Sequence, residues 1–290
     1  AMQTTEDSGR RRTLIDVLNN RRALSAIPAF LAEVKGDDKS VRRNAMTALG
    51  RLAGPDHVAD MIQGLWKTEG GDRDHAERAI TGVCQRIADG NDQAGPVMAV
   101  YVDSDDSQKN GLLPLLGRIG SPDALKAIRT ALTDGDPNRY QAGVRGIANW
   151  PDSTVAEDLL RIAETGRGEA ERITALRALA RVVVRRGELR EKEQLEFLTR
   201  GMQLAIRKEE RKLILDRAKA IRRIEALQFV VPYLDQPELA EQACRSIVEL
   251  ARDTGFRNRH KEEFRAAILK VTQTTKDRGL AAKAQSRLPE

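Results

Sequence analysis

Three histidines, two cysteines and a dense scatter of carboxylates and cations are the side chains in this chain that could do chemistry. A metal site or a histidine-based acid–base pair needs partners at fixed spacing, and His57, His75 and His260 stand far apart with no Glu following any of them. His57 reads as the start of a helix and His260 as part of a basic turn, so solvated or locally bonded imidazoles are expected. Cys84 falls in phase with Ile80, Val83 and Ile87, and Cys244 with Ala240, Ile247 and Val248. Both therefore read as small buried hydrophobes rather than nucleophiles or disulfide partners. No Walker-type glycine loop, GxSxG elbow or dinucleotide fingerprint occurs, and no segment reads as a strand that would precede one. No catalytic residue, metal ligand or cofactor contact is expected.

Carboxylate pairs such as Asp37-Asp38 and Asp105-Asp106 sit where helices should begin, and there they cap the helix and complement its dipole. The distribution of charge is more informative. Residues 1–150 hold 20 basic and 20 acidic residues, whereas residues 151–290 hold 29 and 23, so the whole excess of +6 is C-terminal. From Arg207 to Arg223 there are eight basic and three acidic residues. On a helical wheel Lys208, Lys212, Lys219 and Arg223 share a stripe flanked by Arg211 and Arg222, with Leu215 among them. Such a stripe is either a surface for an acidic protein, phosphate or nucleic acid, or a solvated outer face. The solvated face is favoured, because no aromatic residue lies between Gly201 and Gln228 for base stacking. Arg217 falls amid Leu213, Ile214, Ile221 and Ile224 and is expected to be paired in the interior. Trp150, in a turn, is either an exposed binding anchor or, the favoured reading, tucked over a neighbouring helix. Trp66, at a helix end, invites the same reading.

These residues hang on a chain of short amphipathic helices. In Asp38–Leu65, Ser40 reads as an N-cap, Val41, Ala45, Ala48, Leu49 and Leu52 make one apolar helix face, and Gly54-Pro55-Asp56 turns into a second helix. A helix pair of this kind cannot bury its apolar face alone. The segment Gly50-Arg51-Leu52-Ala53-Gly54-Pro55-Asp56 returns 67 positions later as Gly117-Arg118-Ile119-Gly120-Ser121-Pro122-Asp123, and the turn returns again at Pro151-Asp152. Aromatics at 3% and charged residues at 32% suit thin layers of Ala, Leu, Ile and Val between helices better than one large core. The expectation is an all-α superhelical solenoid of about seven or eight helix pairs, one domain over residues 13–290. Ahead of it, residues 1–12 read as a disordered tail or as residues foreign to the native sequence, with a capping helix from Leu14 to Asn20. Helices are expected over 23–34 with a mild kink at Pro28, 75–89, 169–186 and 209–224. Gly70-Gly71 and the neighbourhood of Gly187 should be loops.

Asp38-Lys39-Ser40-Val41-Arg42-Arg43-Asn44-Ala45, followed by Ala48-Leu49-Gly50, resembles the second-helix signature of HEAT-type repeats, especially the bacterial PBS-lyase HEAT-like variety. The resemblance implies a right-handed α-α superhelix in which Asp38 and Arg42 tie neighbouring repeats together. At Asp136-Pro137, Tyr140 stands at the Arg position. The iron-binding HEAT-like hydroxylases depend on repeated His-Glu pairs, and this chain has none. The first expectation for function is a non-catalytic scaffold, monomeric, holding a protein partner on its concave face, and possible as a piece of a larger protein. The second is a nucleic-acid-binding or repair protein using the basic C-terminal half, as alkyl-base DNA glycosylases of similar build do. The third is a lyase or chaperone subunit of the kind the PBS-lyase name implies. No run of apolar residues is long enough for membrane insertion. Gly146–Leu160 also resembles repeat regions of exported bacterial proteins, so a trimmed N-terminus would point to export and a native Met2 to the cytoplasm.

Overall fold

Side-chain oxygens mark where the helices of this chain begin, because the first turn of a helix leaves backbone N–H groups without partners. In a computed structural model describing residues 7–185 and 189–289, Asp7, Asp38, Asp105, Ser121, Asp136, Asp253 and Asp277 each cap a helix in this way. The described residues hold eighteen α-helices, four short 3-10 turns and no strand. The chain divides into two compact units, Ala1–Trp150 and Pro151–Glu290. Among the described residues no helix is long and apolar enough to cross a membrane.

The first unit comprises α1 (Ser8–Asn20), α2 (Ile27–Val34), α3 (Lys39–Leu52), α4 (Val58–Leu65) and α5 (Gly70–Cys84). It continues with α6 (Gly95–Asp103), α7 (Asp106–Ile119), α8 (Pro122–Thr133) and α9 (Pro137–Ala148). Its substantial contacts run between consecutive and next-but-one helices. One row is α1, α3, α5, α7 and α9, and α2, α4 and α6 form a second. Far more of α3 lies along α5, and of α7 along α9, than of α2 along α4. Glycine permits that closeness. A Cβ on Gly117 of α7 would stand 1.8 Å from the Gly146 carbonyl oxygen of α9, and one on Gly50 of α3 would stand 3.0 Å from the Ala79 Cβ of α5. The matching positions of Gly50 and Gly117 in the repeated segment thus reflect helix-to-helix approach.

The second unit comprises α10 (Ala156–Thr165), α11 (Glu169–Val182), α12 (Glu191–Leu204), α13 (Lys208–Ala218) and α14 (Ile224–Val230). α15 (Ala240–Leu250), α16 (Thr254–Arg259), α17 (Lys261–Thr274) and α18 (Arg278–Gln285) complete it. Here α11, α13, α15 and α17 form the continuous row.

Several local expectations change. α1 starts at Ser8, within the stretch expected as tail, because the Asp7 carboxylate accepts from the N–H groups of Gly9 and Arg10. Asp38, rather than Ser40, caps α3, accepting from the N–H groups of Ser40 at 2.9 Å and Val41 at 3.0 Å while the Ser40 hydroxyl donates to it. Pro28 sits in the first turn of α2, where it kinks nothing. Gly70 and Gly71 open α5, Gly70 taking the left-handed φ of 53° that glycine tolerates. α5 and α11 end at Cys84 and Val182, earlier than the apolar phase alone would end them. The loop expected around Gly187 lies outside the described residues. At the repeated turn, Pro55 and Asp56 open a 3-10 turn, Pro122 and Asp123 occupy the first turn of α8, and Asp152 accepts from the Thr154 N–H at 2.9 Å.

Two recurring devices tie the helices. In the first, an arginine four residues after the cap residue donates to the carbonyl two residues before it: Arg42 to Gly36, Arg172 to Gly166 and Arg257 to Ala251. This clamps the turn leading into the helix. Arg42 therefore holds its own turn, and it is Asp38 that reaches another helix, accepting from the Ser8 hydroxyl of α1. That hydroxyl, with the bonds from Val41 and Ser40, holds the Asp38 carboxyl well below the usual carboxylate range. In the second device, a side chain near a helix end satisfies carbonyls of an earlier helix: Arg86 reaches Gly50 at 2.8 Å and Ala53 at 2.5 Å, and Asn149 reaches Pro114 at 3.2 Å.

Candidate functional site

The residues expected to form a basic stripe are redistributed by where α13 ends. The helix stops at Ala218, and Ile221 and Ile224 belong to the following turn and to α14, so one wheel over 209–224 mixes two elements. The buried face of α13 is Glu210, Ile214, Leu215 and Ala218. Leu215 is thus core, and Arg217 is not: its side chain is 39% exposed, with a guanidinium nitrogen 3.7 Å from the Asp216 carboxylate. The interior ion pair assigned to Arg217 belongs to a residue of opposite sign. Glu210, 2% exposed, accepts from the Arg177 guanidinium of α11 at 2.8 Å, with Arg207 at 3.5 Å. A carboxylate buried so deeply is tolerable only when paired in this way.

Carboxylates also divide the stripe. Lys219 pairs with Asp216 at 2.6 Å, Arg222 with Asp253 at 2.5 Å and Arg223 with Glu225 at 2.7 Å. Lys208, Arg211 and Lys212 have no carboxylate within 4.0 Å among the described residues. The six cations accordingly form a neutralised C-terminal group and an unneutralised group at the start of α13.

Arg211 belongs to a groove. α12 and α14 are not among the helix pairs in substantial contact, and a gap of about 600 Å³ lies between them. The 3-10 segment Val231–Asp235, with Pro232 in its first turn, continues directly from α14 in helical conformation, so Phe229 and Tyr233, four residues apart, share one face. Their rings meet edge to face, centroids 5.8 Å apart. Met202 of α12 and Pro232 add apolar wall. The Arg211 guanidinium lies 5.7 Å from the Tyr233 ring centroid and donates to the Gln236 side-chain oxygen at 3.1 Å, so it is held in place by neutral partners. Beside the groove Ile206 is 91% exposed. Phe229 and Tyr233 lie just beyond the aromatic-free stretch, and packing of α14 and the segment after it beside α13 sets Tyr233 against Arg211.

The first unit carries a different surface. Along α1, α3, α5 and α7, side chains bridge neighbouring helices: Asn44 donates to Asp16, Arg43 pairs with Asp72 at 2.6 Å, and Arg118 pairs with Asp74 at 2.7 Å. The Thr47 hydroxyl donates to the Arg43 carbonyl and so accepts from His75 Nε2 at 2.9 Å. Burial, reinforced by the Arg43 charge, pushes the His75 imidazole below its ordinary value. Hydrogen bonds from Lys39 and Arg43 lower Asp72, and burial raises Glu77. Arg73 donates to the Gly111 carbonyl at 2.7 Å and lies over the half-buried Trp66.

The remaining chemistry-bearing residues are structurally engaged. His57 accepts from the Gly54 N–H at 3.1 Å, and His260 packs edge to face against Phe256. Trp150 is 4% exposed, so it is no exposed anchor. Cys84 and Cys244 are fully buried, which pushes their thiols up to about 12 and about 11. Among the described residues no three His, Cys, Asp or Glu side chains are grouped to hold a metal ion.

Neither a family model nor a curated protein matches the chain. Among solved structures, one described as "Computational Design of Self-Assembling Cyclic Protein Homooligomers" is 14% identical, covering 96% of this chain and 91% of its own, with a TM-score of 0.16. A superposition that loose carries no argument about fold or function.

Proposed function

We propose that the protein is a HEAT-like α-solenoid working as a non-catalytic scaffold, and that it holds a protein partner along the row formed by α3, α5, α7 and α9. The observation that carries this reading is that α3 lies more closely along α5, and α7 along α9, than α2 along α4 or α4 along α6, although α5 and α7 touch no more than the helices of the second row. Stacked helix pairs curve toward their more closely packed row, and repeat proteins present that concave side to partners. The arginine clamps of Arg42, Arg172 and Arg257, recurring at equivalent places in three helices, support descent of the helices from one repeated unit. The face itself is polar and already ordered. The bridges from Asn44 to Asp16, Arg43 to Asp72 and Arg118 to Asp74 fix its side chains, so little rotamer entropy is left to lose on binding. The neutralised stripe after Asp216 weighs against the nucleic-acid alternative.

Photo-crosslinking tests this. A benzophenone side chain at Arg78 of α5 or Arg145 of α9 should capture one partner, whereas the same group at Ala99 of α6 or Lys126 of α8 should not. Capture from α6 and α8 alone, or turnover of a small-molecule substrate with no partner recovered, refutes the reading.

A further inference from the structure

We infer that the groove between α12 and α14 is a docking site for an acidic–apolar peptide segment of a partner protein. A carboxylate of the segment meets Arg211, and its apolar side chains seat against Phe229, Pro232 and Tyr233. This rests on the interaction reading above but uses residues of the second unit, Arg211 of α13 among them, rather than the row of α3, α5, α7 and α9.

Charge identifies the occupant. Of the basic residues between Arg207 and Arg223, only Lys208, Arg211 and Lys212 lack a carboxylate within 4.0 Å among the described residues, and all three lie in the first turns of α13. Arg211 is the one that lines the groove. It is half-buried against Tyr233, and its one described hydrogen bond goes to the neutral Gln236. A guanidinium has five N–H donors in a planar fork, so most of its capacity to bind a carboxylate is unspent. The cation–π contact with the ring and the hydrogen bond to Gln236 hold that fork before a ligand arrives, which lowers the ordering cost of binding.

Shape and polarity narrow the class further. The gap of about 600 Å³ has room for a few side chains, and it sets the apolar Met202, Phe229, Pro232 and Tyr233 beside the polar Thr199, Gln203 and Gln228. Ile206 beside it is almost wholly in water. These surfaces call for apolar atoms next to an anion, as a segment mixing Asp or Glu with Leu, Ile, Phe or Pro supplies. A nucleic-acid strand fits less well, because its repeating phosphates need a continuous track of cations and Asp216, Asp253 and Glu225 interrupt this one.

The test is selection of a displayed library of random dodecapeptides on the full chain, followed by fluorescence anisotropy of the labelled enriched peptide. Enriched peptides should pair an acidic residue with an apolar one. Their affinity should fall about tenfold or more in Arg211→Gln and in Phe229→Ala, and stay within about twofold in Lys219→Gln. Converting the peptide's acid to its amide should cost the same and add nothing further in Arg211→Gln. Arg211→Gln keeps a half-exposed polar side chain, and an unchanged melting curve establishes that it is folded. Failure to enrich any peptide sensitive to both groove substitutions overturns the inference. So does an oligothymidine probe that binds more tightly and is lost in the same variants. If crosslinks still map to Arg78 and Arg145 in either case, the scaffold reading stands and only the groove assignment falls.

Discussion

Replacing Gly117 by alanine should destabilise the first unit despite improving helix propensity. The new Cβ would sit 1.8 Å from the Gly146 carbonyl oxygen, 2.5 Å from its carbonyl carbon and 2.9 Å from its Cα. All three are backbone atoms of α9, so no rotamer change relieves the clash. Reaching even the 3.0 Å that real Cβ contacts respect requires α7 and α9 to part by more than an ångström. That loosens the fully buried Leu113, Leu116, Ile128 and Ile147 around the contact, and a gap of this size forfeits a quarter to a half of each affected dispersion contact. With the upper end of overpacking costs at about 3 kcal/mol and a gain of about 1 kcal/mol for removing glycine from a helix, the net loss is about 2 kcal/mol. For a body of this size that lowers the melting temperature by about 4–8 °C. Gly82, inside α5, provides the contrast. Its nearest neighbour would be the Gly50 carbonyl oxygen at 3.9 Å, so Gly82→Ala should raise stability by about 0.5–1 kcal/mol. Circular-dichroism melts and urea titrations of both variants check the pair. A Gly117→Ala protein as stable as the parent, or a Gly82→Ala protein equally damaged, would refute the close-approach argument.

Two further outcomes follow from buried titratable groups. His75 is lowered by burial, so its neutral form is favoured in the folded state, and the stability this provides is present above the ordinary imidazole pKa of 6.5 and lost as pH falls through the lower folded value. The stability difference between the parent and His75→Gln should therefore shrink or reverse between about pH 8 and about pH 5, and a difference constant over that range would contradict it. The thiols of Cys84 and Cys244, pushed up to about 12 and about 11, should resist a disulfide reagent in the native chain and both react in concentrated guanidinium chloride, whereas rapid native labelling would place them at the surface.

How much of this was legible depends on whether the determinant was local. The prolines that open helices and the apolar phase of α3 are decided within a few residues, and the structure agrees with them. The repeated Gly50 and Gly117 were visible as a copy, but their reason lies on α5 and α9, about thirty residues away. Ile221 and Ile224 continue the apolar phase of α13 after the helix has ended, so a single wheel over 209–224 puts Arg217 inward and Leu215 outward, the reverse of their places in the structure. Glu210, an acidic residue in a charged first turn, has the local pattern of a dipole partner, and its burial is set by Arg177 from another helix. The groove had no signature of its own. Its cation and its aromatics come from three elements, Phe229 and Tyr233 are unremarkable in sequence, and Arg211 stands there only as a flank of the basic stripe.

The carbonyl-capping side chains also bear on how the chain folds. Arg86 reaches back 36 residues to Gly50, Asn149 reaches back 35 to Pro114, and Arg185 reaches back 34 to the Pro151 carbonyl. Each closes a loop of similar and modest length, so the entropy of closure is paid in small equal steps. In a chain of 290 residues such separations are about an eighth of its length, so these helix-to-helix contacts are local in sequence. A helix pair can form as soon as its predecessor exists, and damage at one capping arginine should fray the helices beside it while the nucleation of distant pairs proceeds at its own rate.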